Sequence, residues 1–462
     1  MELANNNKQS NTAIQTLSIH TMLSSKLPKS IIHHQFQLHL RKFTTQQPLP
    51  SFASCFTSTS NVLQDQPFSN LLISAAIFNI CRFNFIISPA IALLRASENT
   101  TWGQPFLVLT KHTAFQHFCA GETLNACETT SRRLNNIQIM VDHSVEERET
   151  EADWSINVSN KIQLLENIAQ QLSKVSFVPI KATAMVSPQL LERMTTIIRR
   201  DGEGYQDLEM NPTSLLSISD QELLTTGLNN LTHVLEKAQE LKIPILLDAE
   251  QSHRQPAIDY ICRHLQAKFN VDPNPILYNT YQMYMKCSGR RLRRDVKDSI
   301  AKGYKMAAKV VRGAYLVSET ERALETGMEY PLWENRSKTD DNYNSGIKYV
   351  LKSISKGSQT ALLIATHNLD SVEQAIDTMA ALEMDKNSKH IHFGQILGMC
   401  DVLTLSLGAA GYNSNKLLLY GEFEEVFPWL LRRLDENRDM MGAAQMELPL
   451  IHSELKRRLF GQ

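Results

Sequence analysis

From about residue 175 to residue 420, short apolar runs rich in β-branched residues alternate with longer segments of helical period, and few architectures accept that pattern. The runs fall at 175–184, 243–249, 276–282, 307–314, 361–366, 391–395, 402–406 and 417–420. Amphipathic segments such as 189–199, 222–241, 291–303, 371–382 and 424–436 lie between them. Strands separated by helices pair in parallel, and eight such units over ~250 residues predict an α/β fold of the (βα)8 TIM barrel type. An open doubly wound sheet shares the alternation. It normally carries G-x-G-x-x-G after its first strand, and the chain has no such motif.

The flanks read differently. No acidic residue occurs between Glu2 and Asp65, while Lys8, Lys26, Lys29, Arg41 and Lys42 stand among Ser, Thr, Asn and Gln. Residues 1–64 therefore read as an organellar transit peptide that need not pack. Residues 65–174 read as a mostly helical N-terminal arm ending in the acidic run 146–153, residues 175–440 as the barrel and 441–462 as a C-terminal helical tail. The apolar stretch 72–94 has the length of a membrane span but carries Arg82 near its middle, which costs ~2.5–3.5 kcal/mol on insertion. A packed helix pair touching a membrane surface fits it better. The segment 200–221 is a polar insertion. Its Asp201, Glu203, Asp207 and Glu209 lack the spacing of a calcium loop, so no metal is expected.

Composition excludes more than it identifies. A net charge of -1 gives no field for a polyanion, so nucleic acid is not an expected partner. The 7 cysteines are scattered and never spaced C-x-x-C, which predicts buried thiols in a reducing compartment.

Polar residues collect where the strands of a barrel end, which is where such folds do chemistry. The successive runs contribute Lys181; Asp248 and Glu250; Gln282; Lys309, Arg312 and Gly313; Thr366, His367 and Asn368; and Gln395. The set is cationic enough to hold a phosphate or a carboxylate. Asp248 among those cations either serves the chemistry or pairs with Lys181 to hold the mouth together. Further on, Arg432 and Arg433 are adjacent on a helical pattern, with Glu436 four residues after Arg432.

Taken together, LLDAEQ (246–251), YNTYQMY (278–284), KVVRGAYL (309–316), ATHN (365–368), FGQILGM (393–399) and LLRRLDEN (430–437) resemble the proline dehydrogenase family, in the same order. The resemblance runs from roughly Phe177 to Arg438. It implies a distorted (βα)8 barrel that binds FAD noncovalently, with Ala249, Gln282, Arg312, Gly313, Ala314, Thr366, His367 and Gln395 around the flavin. Gly313 is expected to let backbone approach the cofactor. Arg432 and Arg433 would take the substrate carboxylate, Lys181 would complete that anion site, and Tyr315 and Leu397 would flank the substrate ring. Asp248 and Lys309 would be the catalytic neighbours. The implied reaction is oxidation of L-proline to Δ1-pyrroline-5-carboxylate. Electrons would pass to a quinone, on the matrix side of the mitochondrial inner membrane and in peripheral contact with it.

Two positions depart from the family pattern. Lys309 stands where bacterial relatives carry Arg, and Leu417 where many members carry Tyr and the hydroxyproline dehydrogenase branch a small polar residue. Leu417 leaves hydroxyproline dehydrogenase as an alternative, although an apolar side chain there favours proline. A Schiff-base aldolase using Lys181 or Lys309 is the reading from a different class.

Overall fold

The computed structural model describes residues 62–81, 92–94, 96, 103–135, 137–143, 150–200, 212–439 and 441–461; for 81, 200, 432–439 and 441–446 it gives the backbone course alone. Most of the expected leader, Arg82, and the acidic residues of the 201–209 insertion lie outside the described residues.

Eight parallel strands close into a barrel in chain order: β1 Gln138–His143, β2 Val175–Ile180, β3 Ile245–Leu247, β4 Leu277–Gln282, β5 Ala307–Val311, β6 Ala361–Ala365, β7 Ile391–Ile396 and β8 Ser414–Tyr420. β1 closes the ring against β8, from Gln138↔Asn415 to His143↔Tyr420. Its pairing with β2 is irregular between Ile139 and Met140.

The expected fold is present, but one strand was misplaced. The run 402–406 is not a strand; it lies in a helix, Asp401–Ala409, whose Val402, Leu403, Thr404, Ser406 and Leu407 are all buried. A helix buried on every side reads as an unbroken apolar run, as a buried strand does. The true first strand, QIMVDH, lies upstream of the barrel start expected at 175, inside what read as a helical arm. Its polar end and the acidic run after it disguised it.

The helices of the described chain are α1 Phe68–Cys81, α2 Gln104–Thr110, α3 Leu124–Arg133, α4 Glu151–Gln171, α5 Pro188–Arg200, α6 Ile218–Leu241, α7 Gln255–Phe269, α8 Ser288–Lys302, α9 Leu316–Thr326, α10 Arg336–Ser355, α11 Leu369–Ala381, α12 Asp401–Ala409, α13 Phe423–Asp439 and α14 Met441–Phe460. Hydroxyl and amide side chains start several of them: Thr150 accepts from Asp153 N, Ser217 from Asp220 N, Asn335 from Lys338 N and Asn368 from Ser371 N. Among the described residues no helix is long and apolar enough to cross a membrane.

Strand alternation divides the core in two. Met140, Phe177, Leu246, Tyr278, Ala307, Ala361 and Leu363, with Leu417 against them, plug the barrel interior. Val141, Val178, Ile180, Ile245 and Leu247 point outward into the helix layer. Each fully buried side chain of this size contributes ~1.5–3 kcal/mol. A Cβ at Gly394 would sit 3.2 Å from the side-chain ends of Leu363 and Met140, so the interior packs closely against its backbone.

The arm packs on the far side of β8. Phe115, Phe118 and Cys119 share a cluster with Leu419 of β8 and with Phe423, Phe427 and Leu430 of α13. Glu122 accepts a hydrogen bond from Phe423 N at 3.3 Å, filling the start of α13. At the other end of the chain, Glu447 of α14 accepts from Val402 N at 2.6 Å and so caps α12.

Candidate active site

Counting by two from the apolar plug gives the next layer up. Asp142 follows Met140, Asp248 follows Leu246, Thr280 and Gln282 follow Tyr278, and Lys309 follows Ala307. Lys181 leaves β2 one residue past its end. Charged groups from four strands thus ring the mouth above a floor of apolar side chains.

Lys309 Nζ lies 2.5 Å from Asp248 Oδ1, so the two catalytic candidates are partners. Asp248 was expected either to serve the chemistry or to pair with Lys181, and Lys309 engages it. Asp142 was not among the sequence candidates, because its strand was read as arm. Burial raises its carboxyl above the ordinary Asp value. Lys161 opposes that shift, Asp248 adds to it, and Lys181 and Lys309 oppose it. Lys161, from α4, is buried and directs Nζ to Pro179 O at 3.5 Å; burial lowers its ammonium, with Asp142 and Asp248 acting to raise it.

A second constellation spans β4 to β7. Arg312 donates through Nε to Asp340 at 2.7 Å, through Nη1 to Thr366 Oγ1 at 2.6 Å and through Nη2 to Ser371 Oγ at 2.9 Å. Its guanidinium carbon stands 4.5 Å from the centre of the Tyr343 ring, so stacking fixes its plane as well. Gln282 donates to Glu250 O at 2.9 Å and accepts from Ala314 N at 3.2 Å, tying the ends of β3, β4 and β5 together. His367 Nε2 accepts from Ile396 N at 3.0 Å, which leaves the ring proton on Nδ1 when the imidazole is neutral. Glu250, almost fully buried, accepts from Thr183 N at 3.0 Å, and burial raises its carboxyl. Ala249 is buried beside it.

Several sequence candidates are also engaged within the fold itself. Gly313, at φ +154°, is glycine because a Cβ would meet the Tyr284 ring at 2.5 Å, so close packing against Tyr284 already explains it. Gln395 is 1% exposed, with its amide closed between Thr366 O at 3.1 Å and the Thr404 hydroxyl at 3.0 Å; it backs Thr366 rather than facing the mouth. Leu397 is 7% exposed and belongs to the outer core, its amide bonded to Leu417 O. Tyr315 is half-buried at the start of α9, its amide donating to Tyr284 Oη at 3.3 Å. Positions 432 and 433 fall on α13, but the side chains of Arg432 and Arg433 lie outside the described residues. Asp340, Ser371 and Tyr343, which hold Arg312, carried no signal in the sequence.

A dinucleotide cofactor makes two demands, cations for a diphosphate and polar groups for a ring system. Arg312, the Thr366 hydroxyl and the start of α11 lie together and suit the first. Thr280 Oγ1, buried and without a partner among the described residues, suits the second. The donor set fits.

The proline dehydrogenase family profile matches residues 126–445. The chain belongs to the proline dehydrogenase family. Among its relatives, proline dehydrogenase 1, mitochondrial, of Dictyostelium discoideum is 30% identical over 428 residues, covering 87% of this chain and 75% of that protein. Proline dehydrogenase 2, mitochondrial, of Arabidopsis thaliana is 30% identical over 446 residues, covering 89% and 92%. Hydroxyproline dehydrogenase of Bos taurus is 30% identical over 417 residues, covering 84% and 89%. Among solved structures, proline utilization A of Bdellovibrio bacteriovorus shares the fold, with a TM-score of 0.61 at 18% identity over 88% of this chain. The chain spans only 41% of that larger protein.

Proposed function

We propose that this chain oxidises L-proline to Δ1-pyrroline-5-carboxylate with FAD and hands the electrons to a quinone in mitochondria. The observation that carries the reading is the Lys309–Asp248 pair at 2.5 Å, on the same barrel mouth as the Arg312–Thr366 anchor. Charge for a small zwitterion and a cradle for a dinucleotide thus occur side by side.

Bound flavin supplies the two-electron acceptor, so the protein needs no nucleophile. Its own residues bind and orient. Arg312, locked by Asp340, Ser371 and Tyr343, is a preorganised cation for the diphosphate. Gln282 and Ala314 keep three strand ends in register beside it. Arg432 and Arg433 on α13 would fix the substrate carboxylate, with Lys181 completing that anion site and Tyr315 near the substrate ring. Lys309 and Asp248 set the charge around the reacting carbon and nitrogen. Lys309 Nζ is already engaged by the Asp248 carboxylate, which disfavours the Schiff-base alternative.

Mitochondrial placement is supported by the absence of acidic residues between Glu2 and Asp65 and by relatives named mitochondrial. Contact with a membrane surface is supported by exposed Leu72 and Ile80 on α1 and Phe106, Val108 and Leu109 on α2. Hydroxyproline as substrate is the second reading, favoured by the Bos taurus relative. Leu417, packed on the apolar plug, offers no partner for a ring hydroxyl and favours proline.

The test is an absorption spectrum of the FAD-loaded protein under anaerobic addition of L-proline and, separately, of 4-hydroxyproline. Bleaching of the flavin band by proline at lower concentration is expected. Bleaching by hydroxyproline alone transfers the protein to the second reading. A protein that takes up no flavin refutes both.

A further inference from the structure

We infer that Asp142 is a substrate-binding residue, which together with Asp248 receives the ring ammonium of the amino acid. This rests on the proline reading above and adds a residue to it that no sequence motif marked.

The placement follows from β1. Ile139 and Val141 face the outer core, Met140 faces the interior plug, and Asp142 therefore faces the interior one layer above Met140. It pairs in register with Leu419 and stands at the C-terminal end of the strand, the end on which such barrels carry their sites. The charged or titratable groups that face it come from every neighbouring element: Lys161 of α4, Lys181 after β2, Asp248 after β3, Lys309 of β5 and Tyr420 of β8.

Among the described residues, Lys161, Lys181, Lys309 and Asp248 act on Asp142, and Lys309 already engages Asp248. An amino acid brings a carboxylate, which cations can hold, and an ammonium, which lysines repel. Asp248 shares its charge with Lys309, and Asp142 is a second carboxylate that the described residues place on this wall. Lys161 is the cation that acts most strongly on Asp142, and it directs Nζ to Pro179 O at 3.5 Å. The demand for negative charge returns in the reaction: once the ring ammonium has given one proton to solvent, transfer of hydride from the carbon beside nitrogen to the flavin leaves an iminium cation where the amine stood. A carboxylate placed there stabilises the bound substrate and the developing charge alike.

The discriminating experiment uses two ligands that differ at one atom. L-Proline carries the ring nitrogen; (S)-tetrahydrofuran-2-carboxylate has a ring oxygen in its place and no positive charge. Both are titrated into the FAD-loaded full chain, wild type and Asp142→Asn, the oxygen analogue by calorimetry and L-proline by anaerobic flavin bleaching. The expected result is that Asp142→Asn raises the half-saturating L-proline concentration by about tenfold or more while the analogue Kd stays within about twofold. Equal weakening for both ligands overturns the inference, since a distorted site would do that. So does no change for either. If Asp142→Asn does not retain FAD, Asp142→Ser is read in the same way. A wild type that binds neither ligand removes the proline reading itself, a failure distinct from equal loss in the variant alone.

Discussion

Lys309 and Asp248 meet at 2.5 Å across the barrel interior, each leaving its strand one layer above the apolar plug. Removing one partner strands the other's charge in a half-enclosed mouth. Lys309→Met is expected to lower kcat/KM for L-proline by roughly 10- to 100-fold, the worth of a hydrogen bond to a charged group. Lys309→Arg, which keeps the charge and adds a planar fork, is expected to retain most of the activity. Steady-state kinetics of the two variants checks this; a Met variant within twofold of wild type would sink the assignment.

The Tyr284 ring fills the space a side chain at position 313 would need, 2.5 Å from an added Cβ, and φ there is +154°. Gly313→Ala is therefore expected to destabilise the protein by ~2 kcal/mol or more. It should also reduce flavin content, because Arg312 and Ala314 flank the displaced backbone. Thermal unfolding and the ratio of flavin to protein absorbance measure the two effects. An unchanged Tm would mean that the Tyr284 ring yields freely.

Burial pushes the Glu447 carboxyl up to about 8, with Asp401 adding to the shift and Lys416 and the start of α12 opposing it. Between ~4.3, its unfolded value, and about 8 the folded chain keeps a proton that the unfolded chain releases. This contribution to stability is therefore complete at low pH and is lost as pH rises through that window, by at most ~1.4 kcal/mol per unit. Glu447→Gln can still accept from Val402 N and is expected to flatten the fall in Tm between pH 5 and pH 8. Parallel Tm curves for the two proteins would contradict it.

Leu417 lies against the interior plug beside Met140, its register partner. Leu417→Ser is expected to narrow the preference for L-proline over 4-hydroxyproline by about tenfold, through gain of a hydroxyl partner and loss of apolar contact. The ratio of kcat/KM for the two substrates, wild type against variant, is the measurement.

How far the sequence could be read depended on what each segment buries. Strands β2 to β7 alternate or run apolar between turn residues, and their ends carry Lys181, Asp248, Gln282, Arg312 and Thr366, so barrel and mouth were both legible. The strand that carries Asp142 was not, because its inward side chains include a methionine and a carboxylate and an acidic run follows it. Helix α12 passed for a strand because Thr404 and Ser406 are as buried as its leucines. The two errors cancelled in the count, so an eight-stranded total was reached with one strand in the wrong place. Contacts over long range, such as Asp340 and Ser371 on Arg312, leave no local mark at all. Gly313 shows the converse: its position was readable, while the ring that requires it was not.

Glu122 and Phe423 are 301 positions apart, yet one hydrogen bond joins them at the start of the helix that carries Arg432 and Arg433. The aromatic side chains of the arm fill the same interface. Drift in the arm is thereby answerable to drift in α13. A substitution that is silent in one lineage's arm can be intolerable when grafted next to another lineage's final helix, and the two segments are to be exchanged between relatives as a pair or not at all.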